Sequence, residues 1–236
     1  VLTSSNLNEG TVLPPSLTFT PADWSVAQTV TVTGVDDFID DGDIVYTIVT
    51  TASSADSIYN AINPADVSVT NVDNDTAGIT VSQTSGLVTT EALGTASFTV
   101  VLTSQPTADV TIGLSSTDTT EGTVAPPSLT FTSGTWSAPQ TVTVTGVDDP
   151  VADGNIAYSI VTALAVSTDS SYNGQNPADV SVTNQDNDIA GFIVAPTTGL
   201  TTTEALGTAT FTVRLTSQPT ANVTIGLTSS NTGEGT

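Results

Sequence analysis

The sequence predicts an all-β chain built of tandem seven-stranded antiparallel β-sandwiches, immunoglobulin-like in type. Three observations predict it. A unit of about 113 residues recurs along the 236-residue chain. Each unit divides into short Val-, Thr- and Ile-rich runs in which apolar and polar residues alternate. Gly, Pro, Asn and Asp separate the runs, and no stretch carries a helical period.

The repeat sets the frame. Thr29–Asp37 (TVTVTGVDD) returns unchanged as Thr141–Asp149, an offset of 112, and Asn63–Asn71 (NPADVSVTN) returns as Asn176–Asn184, an offset of 113. Residues 77–123 align without a gap to residues 190–236, and 34 of the 47 positions are identical. Leu2–Thr11 matches both Leu114–Thr123 and, in sequence, residues 227–236. Residues 1–76 therefore read as the back part of a first copy (its last four strands), 77–189 as a complete copy, and 190–236 as the front part of a third (its first three strands). The whole is expected to be a window cut from a longer array, with a subunit that polymerises by completing its own half-sandwiches as the competing reading.

Within the complete copy the strands follow in order. Ile79–Ser82 opens it. In Thr95–Leu102, the residues Ala96, Phe98, Val100 and Leu102 alternate with Thr95, Ser97, Thr99 and Val101, the period of a half-buried strand. The third copy has Arg214 where Val101 stands, which marks that alternate face as the outer one. Val110–Leu114, Leu129–Phe131, Val142–Val147, Ile156–Val161 and Val180–Val182 complete the seven. Outward threonines such as Thr141, Thr143 and Thr145 suit a wet strand face, and Trp24 and Trp136, in the turn after the fourth strand, are expected to cap one end of the sandwich.

Charge narrows the function. Twenty-four Asp and Glu stand against one basic residue, for a net charge of −23, and His, Cys and Met are absent. Thiolate, imidazole and Schiff-base chemistry are excluded, disulfides cannot staple the fold, and no enzyme activity is expected. Such a surface repels nucleic acid and anionic lipid, and no run approaches the length of a membrane span, so neither nucleic-acid binding nor membrane insertion is expected. A hard cation is the partner that the imbalance invites.

Strand parity says where it would bind. If successive strands run up and down, the first-to-second, third-to-fourth and fifth-to-sixth connections share one pole with the end of the seventh strand. That pole collects Glu91, Asp118, Glu121, Asp148, Asp149, Asp153, Asp186 and Asp188, eight of the eleven acids of the complete copy, while Asp109, Asp169 and Asp179 fall at the other. Two like charges 4 Å apart cost about 1 kcal/mol in water and about 4 at an effective dielectric of 20, so the pole calls for a neutraliser. Calcium, with 6 to 8 oxygen ligands and tolerant geometry, suits it better than magnesium. Glu204 repeats Glu91; Glu9 and Glu234 repeat Glu121; Asp36, Asp37 and Asp41 repeat Asp148, Asp149 and Asp153; and Asp73 and Asp75 repeat Asp186 and Asp188. Asp118 alone changes, to Asn6 and Asn231, and is the weakest of the candidate ligands.

These residues resemble the Calx-beta family, the sandwich module of sodium/calcium exchangers, integrin β4 and many large bacterial surface proteins. The resemblance spans the whole repeat. It rests on Glu91 in Thr90-Glu91-Ala92-Leu93-Gly94-Thr95, on Val147-Asp148-Asp149 with Asp153 beyond, and on Asp186-Asn187-Asp188 followed by Ala190-Gly191. It implies that these positions supply calcium ligands. Asn187 inside the terminal triplet and Pro150-Val151-Ala152 after the paired aspartates depart from the pattern, which leaves the number of ions per site open. The expected function is a non-catalytic, calcium-binding repeat of a rigid extracellular stalk or filament in a large, secreted bacterial adhesin or surface protein, its units joined end to end. A calcium sensor and a carbohydrate- or cell-adhesion ligand module are the alternatives.

Overall fold

In a computed structural model of the chain, every residue except Ala61 and Thr236 is described. In the first copy the strands are β1 (Leu2–Ser4), β2 (Gly10–Leu13), β3 (Thr31–Gly34), β4 (Ile44–Thr50) and β5 (Val67–Asn71), with one helical turn, α1 (Ser57–Asn60), between the last two. The complete copy holds β6 (Ile79–Ser82), β7 (Leu87–Thr90), β8 (Thr95–Leu102), β9 (Val110–Ser116), β10 (Gly122–Ala125), β11 (Ser128–Phe131), β12 (Gln140–Gly146), β13 (Ile156–Thr162) and β14 (Val180–Gln185). In the third copy β15 (Phe192–Ala195) pairs with β16 (Thr212–Leu215). No helix among the described residues is long and apolar enough to cross a membrane.

The complete copy is a two-sheet sandwich. One sheet has the order β10-β12-β8-β6 and the other β11-β9-β13-β14-β7. Inward residues pack between them: Phe98, Val100, Val142 and Val144 from the first sheet meet Ile112, Ile160, Val180 and Val182 from the second, all at most 2% exposed. The alternation read from Thr95–Leu102 is the observed one, with Phe98, Val100 and Leu102 buried and Arg214, the counterpart of Val101, exposed.

Two strands exceed the expected seven, and one pairing departs from antiparallel. After Gly86, whose φ of 76° turns the chain, β7 continues β6 into the opposite sheet and pairs parallel to β14. In the same way β10 precedes β11, but joins the sheet of β12 rather than that of β9. Each is four residues long with at most two inward apolar positions, too few for periodicity to mark. The poles assigned by parity are unchanged.

The partial copies differ more. Leu17–Phe19, the counterpart of Leu129–Phe131, lies outside any strand, as does Val223–Leu227, the counterpart of Val110–Leu114. Neither segment joins a ladder among the described residues. β11 pairs with Val110–Gly113 and β9 pairs with β13, and in repeat register the matching partners fall before Val1 and after residue 236. β1, which matches the end of β9, forms because its partner β4 is present. Apolar residues such as Phe211 and Ile225, whose counterparts Phe98 and Ile112 are buried in the complete copy, are exposed.

Gly146 in the complete copy stands where backbone and a buried amide come close. A Cβ on Gly146 would overlap the Thr90 carbonyl oxygen and Asn184 Oδ1, whereas one on Gly113 would meet only the Ala163 Cβ at 3.5 Å. Gly146→Ala is therefore expected to destabilise the complete copy by about 1–3 kcal/mol, the usual range for overpacking, and Gly113→Ala to change little. Thermal melts of the two variants check this.

Candidate metal centre

The two strands that periodicity did not mark place the two buried glutamates of the complete copy. Parallel pairing of β7 with β14 sets Thr90 opposite Gln185, so Glu91 emerges beside Asp186, and the Glu91 N–H donates to the Gln185 carbonyl at 3.1 Å. The turn from β7 to β8 closes through Leu93, whose φ is 62°, and its counterpart Leu206 has 64°. Antiparallel pairing of β10 with β12 sets Gly122 opposite Gly146, so Glu121 lies beside Val147, whose N–H it accepts at 3.0 Å through its own carbonyl.

Three groups of three carboxylates result. Glu91 meets Asp186 and Asp188; Glu121 meets Asp149 and Asp153; and in the first copy Glu9 meets Asp37 and Asp41. In each group, one oxygen from every residue lies within 4.8 Å of the others. Two ligands of one ion at about 2.4 Å can be no more than about 4.8 Å apart, so each group is compact enough for a hard cation. Glu91 and Glu121 are 2% and 6% exposed, unusual for carboxylates with a single basic residue in the whole chain.

The two groups of the complete copy share one pole. The Asn187 N–H donates to Glu91 Oε2 at 3.0 Å, and Asn187 Nδ2 to Asp148 Oδ1 at 3.2 Å. Asn184, 1% exposed, donates through Nδ2 to Glu121 Oε2 at 3.3 Å and to the Val147 carbonyl at 3.0 Å, while its Oδ1 accepts from Thr89. Asn71 repeats the arrangement, donating to Glu9 Oε2 at 3.2 Å and to the Val35 carbonyl at 2.8 Å. In the first copy Glu9, Asp36, Asp37, Asp41, Asp73 and Asp75 line a cleft of about 240 Å³.

Not every expected ligand joins a three-residue group. Asp148 and its counterpart Asp36 instead accept amide hydrogens from Asn187 and Asn74. Asp73 and Asp75 line the first-copy cleft with the others, but the counterpart of Glu91 that would join them precedes Val1 in repeat register. Glu204 and Glu234 are exposed, the partners their counterparts meet lying beyond residue 236 in register. Asp118 is a turn residue, its Oδ1 taking the Thr120 N–H at 3.0 Å. The buried amide Asn184 and its half-buried counterpart Asn71 went unweighed at the sequence level, although both end the repeated NPADVSVTN motif, and so did Asp40, whose Oδ2 takes the Ala77 N–H at 2.8 Å.

The opposite pole handles its acids differently. Asp169, 7% exposed, accepts the N–H groups of Thr107 at 2.7 Å and Ser171 at 2.9 Å, and these bonds outweigh burial and lower its pKa. Asp179 takes the Thr162 N–H at 2.8 Å. At the acidic pole, burial pushes Glu91 up, with the Asp186 and Asp149 charges adding to it, and pushes Glu121 up, with Asp153, Asp118 and Asp149 adding. Desolvation and neighbouring carboxylates likewise raise Asp188, Asp41 and Asp75. Asp186 and Asp73 go the other way, because backbone N–H groups of Asp188 and Gly154, and of Asp75 and Gly42, hold their carboxylates ionised.

No protein-family model and no curated protein sequence matches the chain. Among solved structures it is similar to the apo form of the Calx CBD1 domain, with 15% identity over 48% of this chain and 100% of that one and a TM-score of 0.38. It is also similar to domains 4 and 5 of the S-layer protein SbsC, with 18% identity over 78% of this chain and 75% of that one and a TM-score of 0.35. A longer SbsC structure aligns at 14% identity over 92% of this chain and 28% of its own, with a TM-score of 0.33. Likeness at this level concerns architecture, and the chain's own strand pairing already makes it a β-sandwich.

The raised carboxyls set a sign for pH. A group whose pKa is higher in the folded state holds its proton more tightly there, so stability is lost as pH rises from the ordinary value, 4.5 for Glu and 3.8 for Asp, through the raised one. The lowered Asp186, Asp73 and Asp169 act below that window, where stability falls as pH drops under 3.8. Metal-free protein should thus melt at a higher temperature at pH 5 than at pH 7.5. Glu91→Gln with Glu121→Gln, neutral isosteres of the protonated acids, should raise the metal-free melting temperature at pH 7.5 and shrink the difference between the two pH values; thermal melts of parent and variant check both.

Proposed function

We propose that this chain is a calcium-binding, non-catalytic structural segment of a rigid extracellular stalk or filament, as in large bacterial adhesins and surface proteins, with residues 77–189 as one complete Calx-beta-like unit between parts of two others. One observation carries the proposal. One compact three-carboxylate group recurs at the same pole of the first and the complete copy, a second stands beside it in the complete copy, and the sequence sets a single basic residue against 24 acids.

The donor set suits calcium. It is all oxygen, part of it buried and disfavoured as free charge, and it is spread over three connections whose flexibility tolerates a large coordination sphere. Glu91, Asp186 and Asp188 would hold one ion and Glu121, Asp149 and Asp153 another, with Glu9, Asp37 and Asp41 repeating the second. A bound ion supplies positive charge alone; no group here is arranged to activate a substrate. The residues do the rest by fixing the ends of β7, β10, β12 and β14 against one another, a stapling role that a chain without cysteine cannot give to disulfides. Near-identity between copies favours a spacer over a sensor or receptor, since a rod needs only repetition.

Thermal melts test the proposal. With dissociation constants of about 10⁻⁴ to 10⁻³ M, typical of extracellular modules, roughly 10 mM calcium adds about 1.4 to 2.7 kcal/mol per site, and the melting temperature should rise by several degrees over that in EDTA. Asp149→Ala and Asp186→Ala should abolish most of this rise, and Asp109→Ala at the other pole should leave it intact. Asp169→Ala should weaken the fold equally with and without calcium, because its carboxylate works through the Thr107 and Ser171 N–H groups. Equal melting with calcium and EDTA would remove the calcium reading.

A further inference from the structure

Successive repeats touch through one loop, and the contact recurs. Between β3 and β4, the segment 35–43 carries Asp37 and Asp41 toward Glu9 while its tip reaches the next copy. There the Phe38 carbonyl accepts the Gln105 N–H at 2.6 Å, Asp40 Oδ2 accepts the Ala77 N–H at 2.8 Å, and the Phe38 ring lies against Trp136 with centroids 5.8 Å apart at 43°. At the following junction Pro150, at the position of Phe38, accepts the Gln218 N–H at 2.6 Å, and Gln218 is Gln105 displaced by one repeat. The linkers are tied alike: Thr103 Oγ1 donates to the Thr76 carbonyl at 2.6 Å, and Thr216 Oγ1 to the Ile189 carbonyl at 2.5 Å.

A short linker alone would bring the copies near each other, but it would not set the same donor on the same acceptor at two junctions whose loop tips differ in sequence. We infer that the tip of this loop is a docking element and that Gln105, Trp136 and Ala77 form its seat on the following repeat, so that consecutive units meet as a fixed joint made by direct contact. The seat is an indole face beside a backbone N–H, and it takes an apolar ring whose residue presents its own carbonyl; Phe38 makes both contacts, and Pro150, also an apolar ring, makes the carbonyl contact. None of the groups that make the contact, a carbonyl, a ring and the Asp40 carboxylate, belongs to the three-carboxylate groups. The joint therefore holds without metal, which goes beyond the calcium reading and stands or falls apart from it. Trp136 is half-buried, packed against the core as well as under Phe38, while its counterpart Trp24 is 72% exposed.

The test is acrylamide quenching of the full chain in EDTA, in a Trp24→Phe background that leaves Trp136 as the sole indole. Phe38→Ala should shift the Trp136 emission to the red and raise its quenching constant on the order of twofold, with the melting temperature of the complete repeat unchanged, and Phe38→Tyr should restore shielding. Phe38 is itself 56% exposed on a loop, so its replacement leaves the sandwich folded. Equal quenching in the parent and Phe38→Ala, or shielding that arises only when calcium is added, would overturn the inference.

Discussion

The register of four strand ends forces buried carboxylates together, and most of what is distinctive in this protein follows from that. The ladders of β7 with β14 and of β10 with β12 are held by backbone hydrogen bonds, which do not depend on what their terminal residues carry. They nevertheless deliver Glu91 and Glu121 to the same pole as Asp149, Asp153, Asp186 and Asp188. Repulsion there cannot be relaxed by moving a side chain away, because the glutamates are enclosed, and it cannot be cancelled from within a sequence that has one arginine. The remaining ways out are protonation or an external cation.

The two ends of the sandwich show two solutions to burying acid. At the far pole Asp169 and Asp179 are met by backbone N–H groups and serve as ordinary loop clamps. At the near pole backbone N–H groups likewise hold Asp186 and Asp73 ionised, but the single Asn187 N–H on Glu91 and the Asn184 amide on Glu121 do not offset burial, and the pKa values of these glutamates rise, as do those of Asp188 and Asp41. A fold that needed only turns would have used the first solution throughout. The second is kept at the end that faces the next copy, where the loop from β3 to β4 carries Asp37 and Asp41 toward Glu9 and sets Phe38, at its tip, against Trp136.

Much of this was legible in the sequence. The long strands were, because Phe98, Val100 and Leu102 or Tyr158 and Ile160 alternate over enough residues to be seen, and the exchange of Val101 for Arg214 between copies marks the outer face. The acidic pole was legible too, since parity depends only on how many times the chain reverses. What escaped was short or cooperative. Four-residue strands such as Leu87–Thr90 and Gly122–Ala125 carry too little pattern, and the parallel pairing of β7 was invisible because register arises between distant segments. Asn184 looked like strand punctuation until folding set it between Thr89, Val147 and Glu121. Leu17–Phe19 and Val223–Leu227, expected as strands, lie outside any strand although their residues are as strand-prone as those of the complete copy.

The central claim is that the acidic pole is a cation site rather than a solvated surface. Isothermal titration of calcium into the chain near pH 5.5, repeated in buffers of different ionisation enthalpy, tests it most directly. Saturable binding is predicted with constants of about 10⁻⁴ to 10⁻³ M, accompanied by proton release as the raised carboxyls give up their protons, and both should vanish in the Glu91→Gln, Glu121→Gln variant. Absence of saturable binding at roughly ten times the upper constant, or binding that the double variant retains unchanged, would contradict the account.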